Sequence, residues 1–267
     1  METKKYKLTE ESINPLSSIR LYRIEALKDF ADVKKGDKGG FVESRDNLSQ
    51  YGDCWVYDNA TVSGNAEVYG NAKVFGDAMV YGDAKVYGNA KVRGNAKVFG
   101  KAKVYGHAII YDHARVYGVA EVRANAEVYG DAEVYNGAKV DGLARVYDNV
   151  KVFGNTKVYG NAEVFGNAEV CGDAIITSDK DYIVFKNWWS SGRYFTWTKG
   201  NDMWKVGCFY GTGEQLIEKA YKDSKSSGKE YKKVVDYVNS IKTNKYDRIR
   251  KNIKERFLSK MRKLLGK

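Results

Sequence analysis

The 267 residues carry 45 Lys and Arg against 34 Asp and Glu, a net charge of +11, with 43% hydrophobic residues, 27 glycines and a single proline. That composition fits a folded chain with many turns and excludes a disordered one. There is no apolar run long enough to span a membrane and no apolar leader, and Cys54, Cys171 and Cys208 lack metal-type spacing, so a reduced cytoplasmic setting is expected.

Residues 1–43 fall outside any repeat. Tyr6-Lys7-Leu8 and Leu21 to Leu27 read as strands, and Lys35 to Gly40 as a turn. The segment is expected to cap a solenoid, because an open solenoid end exposes apolar interior and unpaired strand groups. In the repeat frame Val42 and Leu48 fall in an inward alanine slot, which places the start of the solenoid before Trp55.

Residues 44–178 are organised by one period. From Val56 every sixth residue is Val up to Ile176, with Ile110 as the other exception, giving 21 hexads without insertion or deletion. Ala stands four residues after each Val, except at Val150 and Thr156. In Ala84-Lys85-Val86-Tyr87-Gly88-Asn89 the apolar Ala and Val alternate with outward Lys and Tyr, the pattern of a strand with one buried face. Gly-Asn or Gly-Asp then tolerates the positive φ of a sharp corner. Three strands and three corners make an 18-residue triangular coil, and seven such coils rise about 34 Å at the usual strand spacing. Cys54 and Cys171 are then separated by about 31 Å of rise and cannot be bridged.

Residues 179–211 break the repeat. Asp181 to Phe185, Arg193 to Thr198 and Met203 to Tyr210 read as strands of a small aromatic β module, with Gly200-Asn201-Asp202 as a hairpin turn. Its tryptophans, Trp188, Trp189, Trp197 and Trp204, are expected to form a small core. Residues 212–267 read as helical and basic. Thr212-x-x-Gln215 and Ser227-x-x-Glu230 are capping boxes, and a third amphipathic pattern runs from Tyr246 to Leu264. From Asp179 onward there are 22 basic against 10 acidic residues, so the solenoid and cap together are close to neutral.

The hexads resemble the hexapeptide-repeat left-handed β-helix family, and the left hand is an implication of that resemblance. Leu21 to Phe30, Lys35-Gly36-Asp37, Gly39 to Glu43, Asn47-Leu48-Ser49, Cys54 to Tyr57 and Trp204 to Thr212 also look like hexapeptide-repeat proteins carried by bacterial viruses and prophages. This resemblance covers roughly residues 6 to 241. The expected fold is mainly β: a left-handed parallel β-helix with an N-terminal β cap, a small C-terminal β module and C-terminal α-helices.

Enzymes of the hexapeptide-repeat family are mostly acyltransferases. In them a loop bulges from the coils and a His helps activate the acceptor, while a related branch binds a metal through three His. No hexad here carries an insertion, and the two histidines, His107 and His113, occupy consecutive corners that point about 120° apart. They read as ordinary corner residues replacing Asn or Asp. No catalytic residue, metal ligand or cofactor is therefore assigned.

The outward slot after Val is Tyr or Phe in 15 of 21 hexads, forming columns that read as stabilising ladders or as an aromatic binding or self-assembly face. Residues 242–267 hold 11 basic against 2 acidic side chains. Lys245, Arg248, Arg250, Lys251, Lys254, Arg256, Lys260, Arg262 and Lys263 form a basic helical surface suited to phosphates without base reading. With Trp188 and Trp189 they are the candidate binding residues. The expectation is a non-enzymatic viral or prophage-type protein in the bacterial cytoplasm. It would engage nucleic acid, a host protein or a nucleoprotein, with interference in a host defence system as one form of this. No membrane role is expected, and homo-oligomerisation through the aromatic faces is an option. An acyltransferase-like enzyme and a self-assembling structural protein are the alternatives.

Overall fold

The computed structural model describes residues 4–16, 19–189 and 191–242. The chain divides into two compact units, Met1–Cys208 and Phe209–Lys267.

In the first unit, β1 (Tyr6–Leu16) and β2 (Ile19–Ala26) pair antiparallel, and β2 pairs antiparallel with β3 (Lys38–Val42). The two-residue strands β4 to β24 come next, one per hexad from Trp55–Val56 to Ile175–Ile176. They form seven coils of a left-handed parallel solenoid with three walls, which Phe41–Val42 and Leu48 before them extend to about eight turns. Each strand pairs with the one a coil later in strict register, as Val98 with Val116. The amide of Lys97 donates to Ala114 O at 2.9 Å and that of Phe99 to Val116 O at 3.0 Å, so every wall is a continuous ladder. The Val and Ala columns are fully buried and fill the prism. Val supplies volume at the middle of each wall, and Ala lets the chain narrow toward the corner.

The corners account for the Gly column. Gly118 has φ +70°, and a Cβ there would lie 2.8 Å from the Asn136 nitrogen of the next coil. Asp58, Asp112, Ala124, Asn136 and Asp148 take the same left-handed conformation without being glycine. The three aspartates gain something in return, because their carboxylates accept the amide of the Gly one coil later, Gly76, Gly130 and Gly166, at 2.9 to 3.2 Å.

The cap is an extension of one wall. β3 pairs in parallel with β5 (Thr61–Val62), so β1 and β2 continue that sheet. Gly40 permits the approach, since a Cβ there would sit 2.4 Å from Ala60 O. The register differs from the hexad frame at this end. Val42 aligns with Val62 and Leu48 with Val68, so both occupy the valine column instead of the alanine slot. Cys54 rejoins the regular frame, its neighbour Trp55 donating to Ala72 O at 3.1 Å. The stretch between Leu48 and Cys54 is thus two residues longer than the repeat requires, and it puts Tyr51 outside, 70% exposed. Trp55, in an outward slot, is buried because the cap folds over it. The rings of Phe30 and Tyr6 meet it edge-on at 5.3 and 6.2 Å.

At the other end β25 (Tyr182–Lys186), β26 (Tyr194–Thr198) and β27 (Met203–Val206) run antiparallel over the last coils. Phe195, Trp197 and Trp204 are buried, and Thr196 Oγ1 accepts the Glu169 amide at 2.9 Å. Trp188 departs from the expected core and is 84% exposed.

The second unit opens with β28 (Phe209–Gly211) and α1 (Gly213–Asp223), whose Thr212 capping box forms as expected, with Gln215 N donating to Thr212 Oγ1 at 3.3 Å and Thr212 N to Gln215 Oε1 at 3.0 Å. A further helical stretch covers 225–242. It starts earlier than the Ser227 box predicts. Ser224 Oγ accepts the Ser227 amide at 3.0 Å and takes the capping place, because Ser224 already stands in extended backbone at the end of α1. The basic residues from Lys245 to Lys263 lie outside the described residues.

Candidate functional site

Three outward features of the solenoid could carry function: the aromatic columns, the corner residues and the charged slots. The aromatic columns stack face to face. Tyr81, Phe99, Tyr117, Tyr135 and Phe153 succeed one another at 4.8 to 4.9 Å with planes within 7°. Tyr111, Tyr129 and Tyr147 form a second run and Tyr69, Tyr87 and Tyr105 a third. Each ring face inside a run is covered by the next ring, so a ligand meets only edges and hydroxyls. Stacking of this kind stabilises by roughly 0.5 to 1.5 kcal/mol per pair. Arg93 lies over the Tyr111 ring at 4.7 Å, and Arg123 is fixed by Asp141 at 2.6 Å. Tyr117 donates to Glu133 at 2.8 Å. Burial and that carboxylate push the Tyr117 hydroxyl well above the usual tyrosine range, and burial pushes Tyr135 up to about 12.

The corners form polar columns along the three edges of the prism. On one edge Asn71 Nδ2 donates to Asn89 Oδ1 at 3.1 Å, and Asn89 Nδ2 reaches His107 Nε2 at 3.4 Å. The Asn89 amide nitrogen can donate to His107 only when the neutral ring has its lone pair on Nε2 and its hydrogen on Nδ1. The contact is long, so the lone pair remains available to a closer proton donor. In register Lys91 stands between Lys73 and Ile109 on one adjoining wall, and Lys103 between Lys85 and Glu121 on the other. His107 therefore occupies an exposed edge between walls rich in lysine. His113 belongs to a different edge, one coil from Asp131, and is also exposed. The two imidazoles do not converge, and among the described residues no three of His, Cys, Asp or Glu gather as a metal site would need.

The structure brings the two candidate tryptophans into contact with each other. Trp188 and Trp189 meet edge to face at 6.1 Å, Trp189 packs against Phe195 at 6.1 Å, and the Trp189 Nε1 is buried without a hydrogen-bond acceptor. Among the described residues no helix is long and apolar enough to cross a membrane.

No family model matches the chain. It is similar to the uncharacterized acetyltransferase YdcK of Escherichia coli (strain K12), with 33% identity over 67 residues, 22% of this chain. The chain spans 21% of that relative's length. The likeness is therefore local. It corrects the expectation of a non-enzymatic protein, because a similar sequence bears an acetyltransferase name and the solenoid is of the hexapeptide-repeat kind. That expectation rests on the absence of a bulging loop within the hexads and on the separation of the two histidines. Neither feature bars a single corner imidazole from acting alone. The comparison lends no support to the viral or prophage origin.

Proposed function

We propose that the chain is a hexapeptide-repeat protein of the acyltransferase type, with His107 as the group that activates the acceptor. The observation that carries this reading is the similarity to an acetyltransferase, joined to a solenoid edge that presents an oriented imidazole to solvent. The donor is an acyl thioester and the acceptor an amine or hydroxyl. As the acceptor attacks the thioester carbonyl, His107 Nε2 takes its proton, the carbon–sulfur bond breaks, and the leaving thiolate regains a proton from the imidazolium. Proton transfer of this kind contributes about 10²- to 10⁴-fold to a rate. Asn89, held by Asn71, is the positioning residue.

The test is release of free thiol from acetyl-CoA with a panel of amine and hydroxyl acceptors, run on the full chain and on His107→Asn. Asn is the residue at the same corner one coil earlier, so the fold accommodates it. Acceptor-dependent thiol release that the substitution abolishes supports the reading. Release that persists in the variant removes His107 from the role, and absence of release with every acceptor removes the activity.

A further inference from the structure

Charges on the walls of the prism are mostly neutralised from coil to coil. Arg115 faces Glu133, Glu121 faces Lys139 and Arg145 faces Glu163, with ion-pair distances of 3.3 to 3.8 Å. One zone breaks this rule. Between Ala84 and Tyr111 the chain has Lys85, Lys91, Arg93, Lys97, Lys101 and Lys103 and no Asp or Glu. These residues encircle the prism, and like charges lie in register on all three walls: Lys91 beside Lys73, Lys97 beside Arg115, and Lys103 beside Lys85. Like charges so placed destabilise a sheet.

The outer members of these pairs find acids elsewhere. Lys73 meets Asp32, Lys85 meets Glu67 at 2.9 Å, and Arg115 meets Glu133. Lys91, Lys97, Lys101 and Lys103 have no ion-pair partner among the described residues. The glutamates nearest in register are committed, Glu121 to Lys139 and Glu67 to Lys85, and Asp83, one coil before Lys101, accepts the Asn65 amide at 3.0 Å and makes no ion pair among the described residues. Lys139 and Lys157 are also in register, but Lys139 has Glu121. An arrangement that costs stability in the free protein and makes no ion pair of its own with a described residue points to an external anion.

The charges concentrate at one corner. Lys101 is the corner residue, Lys97 lies on the wall before it and Lys103 on the wall after it. Three long, flexible ammonium side chains therefore follow one another round this edge, two from the flanking walls and one from the corner itself. Lysines bind phosphate as point charges and do not offer the planar fork that selects a carboxylate. A single monoanion cannot satisfy ammonium groups arriving from two walls, whereas linked phosphates can. We infer that the Lys97–Lys101–Lys103 corner binds a ligand carrying at least two linked phosphate groups. The inference does not rest on acyl transfer, since phosphate binding requires no reactive group; an acyl-CoA donor also carries linked phosphates, so tripolyphosphate, which has no acyl group, is the decisive probe.

The experiment is titration calorimetry of the full chain with inorganic tripolyphosphate, ADP and a short single-stranded oligonucleotide at low ionic strength. Lys97→Gln/Lys101→Gln/Lys103→Gln is compared with Lys151→Gln/Lys157→Gln/Lys180→Gln, which removes equal charge away from that corner and leaves the Glu121–Lys139 pair in place. The inference expects the corner variant to bind tripolyphosphate and ADP roughly tenfold or more weakly, with the control near the parent. It also expects the unliganded corner variant to melt no lower than the parent, since repulsion is relieved. Equal weakening in both variants would mean diffuse attraction and overturn the site. Failure to bind tripolyphosphate, or binding of the oligonucleotide alone, would overturn it as well.

Discussion

Lys5 Nζ lies 3.1 Å from Cys54 Sγ and 2.9 Å from the Cys54 carbonyl oxygen, although the two residues are 49 apart in sequence. A third bond, to Gly52 O at 3.2 Å, uses the last donor of the amine, and Lys5 is only 1% exposed. Burial lowers the Lys5 pKa and raises that of Cys54. The pair fastens the first cap strand to the longer stretch that precedes the regular coils. Lys5→Met keeps most of the stem but leaves two carbonyls without this donor, a cost of about 1 to 3 kcal/mol. The urea midpoint of the variant should fall accordingly. An unchanged midpoint would mean that the cap is held by its strand pairing alone.

The corners offer a test in both directions. Ala124 has φ +56°, a conformation that costs a residue with a Cβ roughly 1 kcal/mol or more. It lacks the carboxylate bond that Asp58, Asp112 and Asp148 make. Ala124→Gly should therefore stabilise by about 1 kcal/mol, whereas Gly118→Ala should destabilise by at least as much through the contact with Asn136. Thermal melts of the two variants check the sign.

Core and ladder positions differ sharply in what they tolerate. Val116 is fully buried in the valine column, so Val116→Asp places an unpaired charge in the prism and should cost several kcal/mol, enough to lose the central coils. Tyr117→Ser removes two stacking contacts and should cost about 1 to 3 kcal/mol. Circular dichroism during denaturant titration separates the two outcomes.

The tyrosine ladders predict an alkaline limit. Burial, helped by neighbouring glutamates, pushes Tyr111 and Tyr135 up to about 12. The native state then keeps protons that the unfolded chain releases near pH 10, so this contribution to stability is intact below about pH 10 and is lost as pH rises through about 12. Lys5 acts oppositely: its depressed pKa means its contribution improves as pH rises toward the unfolded value. The tyrosines are more numerous and should dominate. Tyrosinate absorbance should lag behind that of the denatured chain and then rise together with unfolding.

Much of this architecture is legible in the sequence because a period of six repeats every inward and outward choice 21 times. Val, Ala, the aromatic slot and the corner Gly each have one physical role, and the columns emerge from counting. Counting fails where the period is interrupted. The two additional residues between Leu48 and Cys54 carry no sequence mark of their own, so the hexad frame puts Val42 and Leu48 one slot away from their actual column. Trp188 looks like a core residue by type, and only the hairpin geometry reveals that it points outward. The basic collar is present as an acid-free run, but the near-neutral charge of the solenoid as a whole conceals it. The corner histidines do stand in for Asn structurally. Their chemistry is less legible, since the Asn71–Asn89 column that orients His107 spans two coils.

Acyl transfer through His107 is tested most directly by comparing turnover in the parent chain, His107→Asn and His113→Asn. The assay measures transfer of labelled acetyl from acetyl-CoA to the best acceptor by mass spectrometry, with melting temperatures recorded alongside. Loss of about 10²-fold or more in His107→Asn, with His113→Asn near the parent and all three melting together, is the predicted result. Equal turnover in the parent and His107→Asn, or no acetylated acceptor from any of the three, would contradict it.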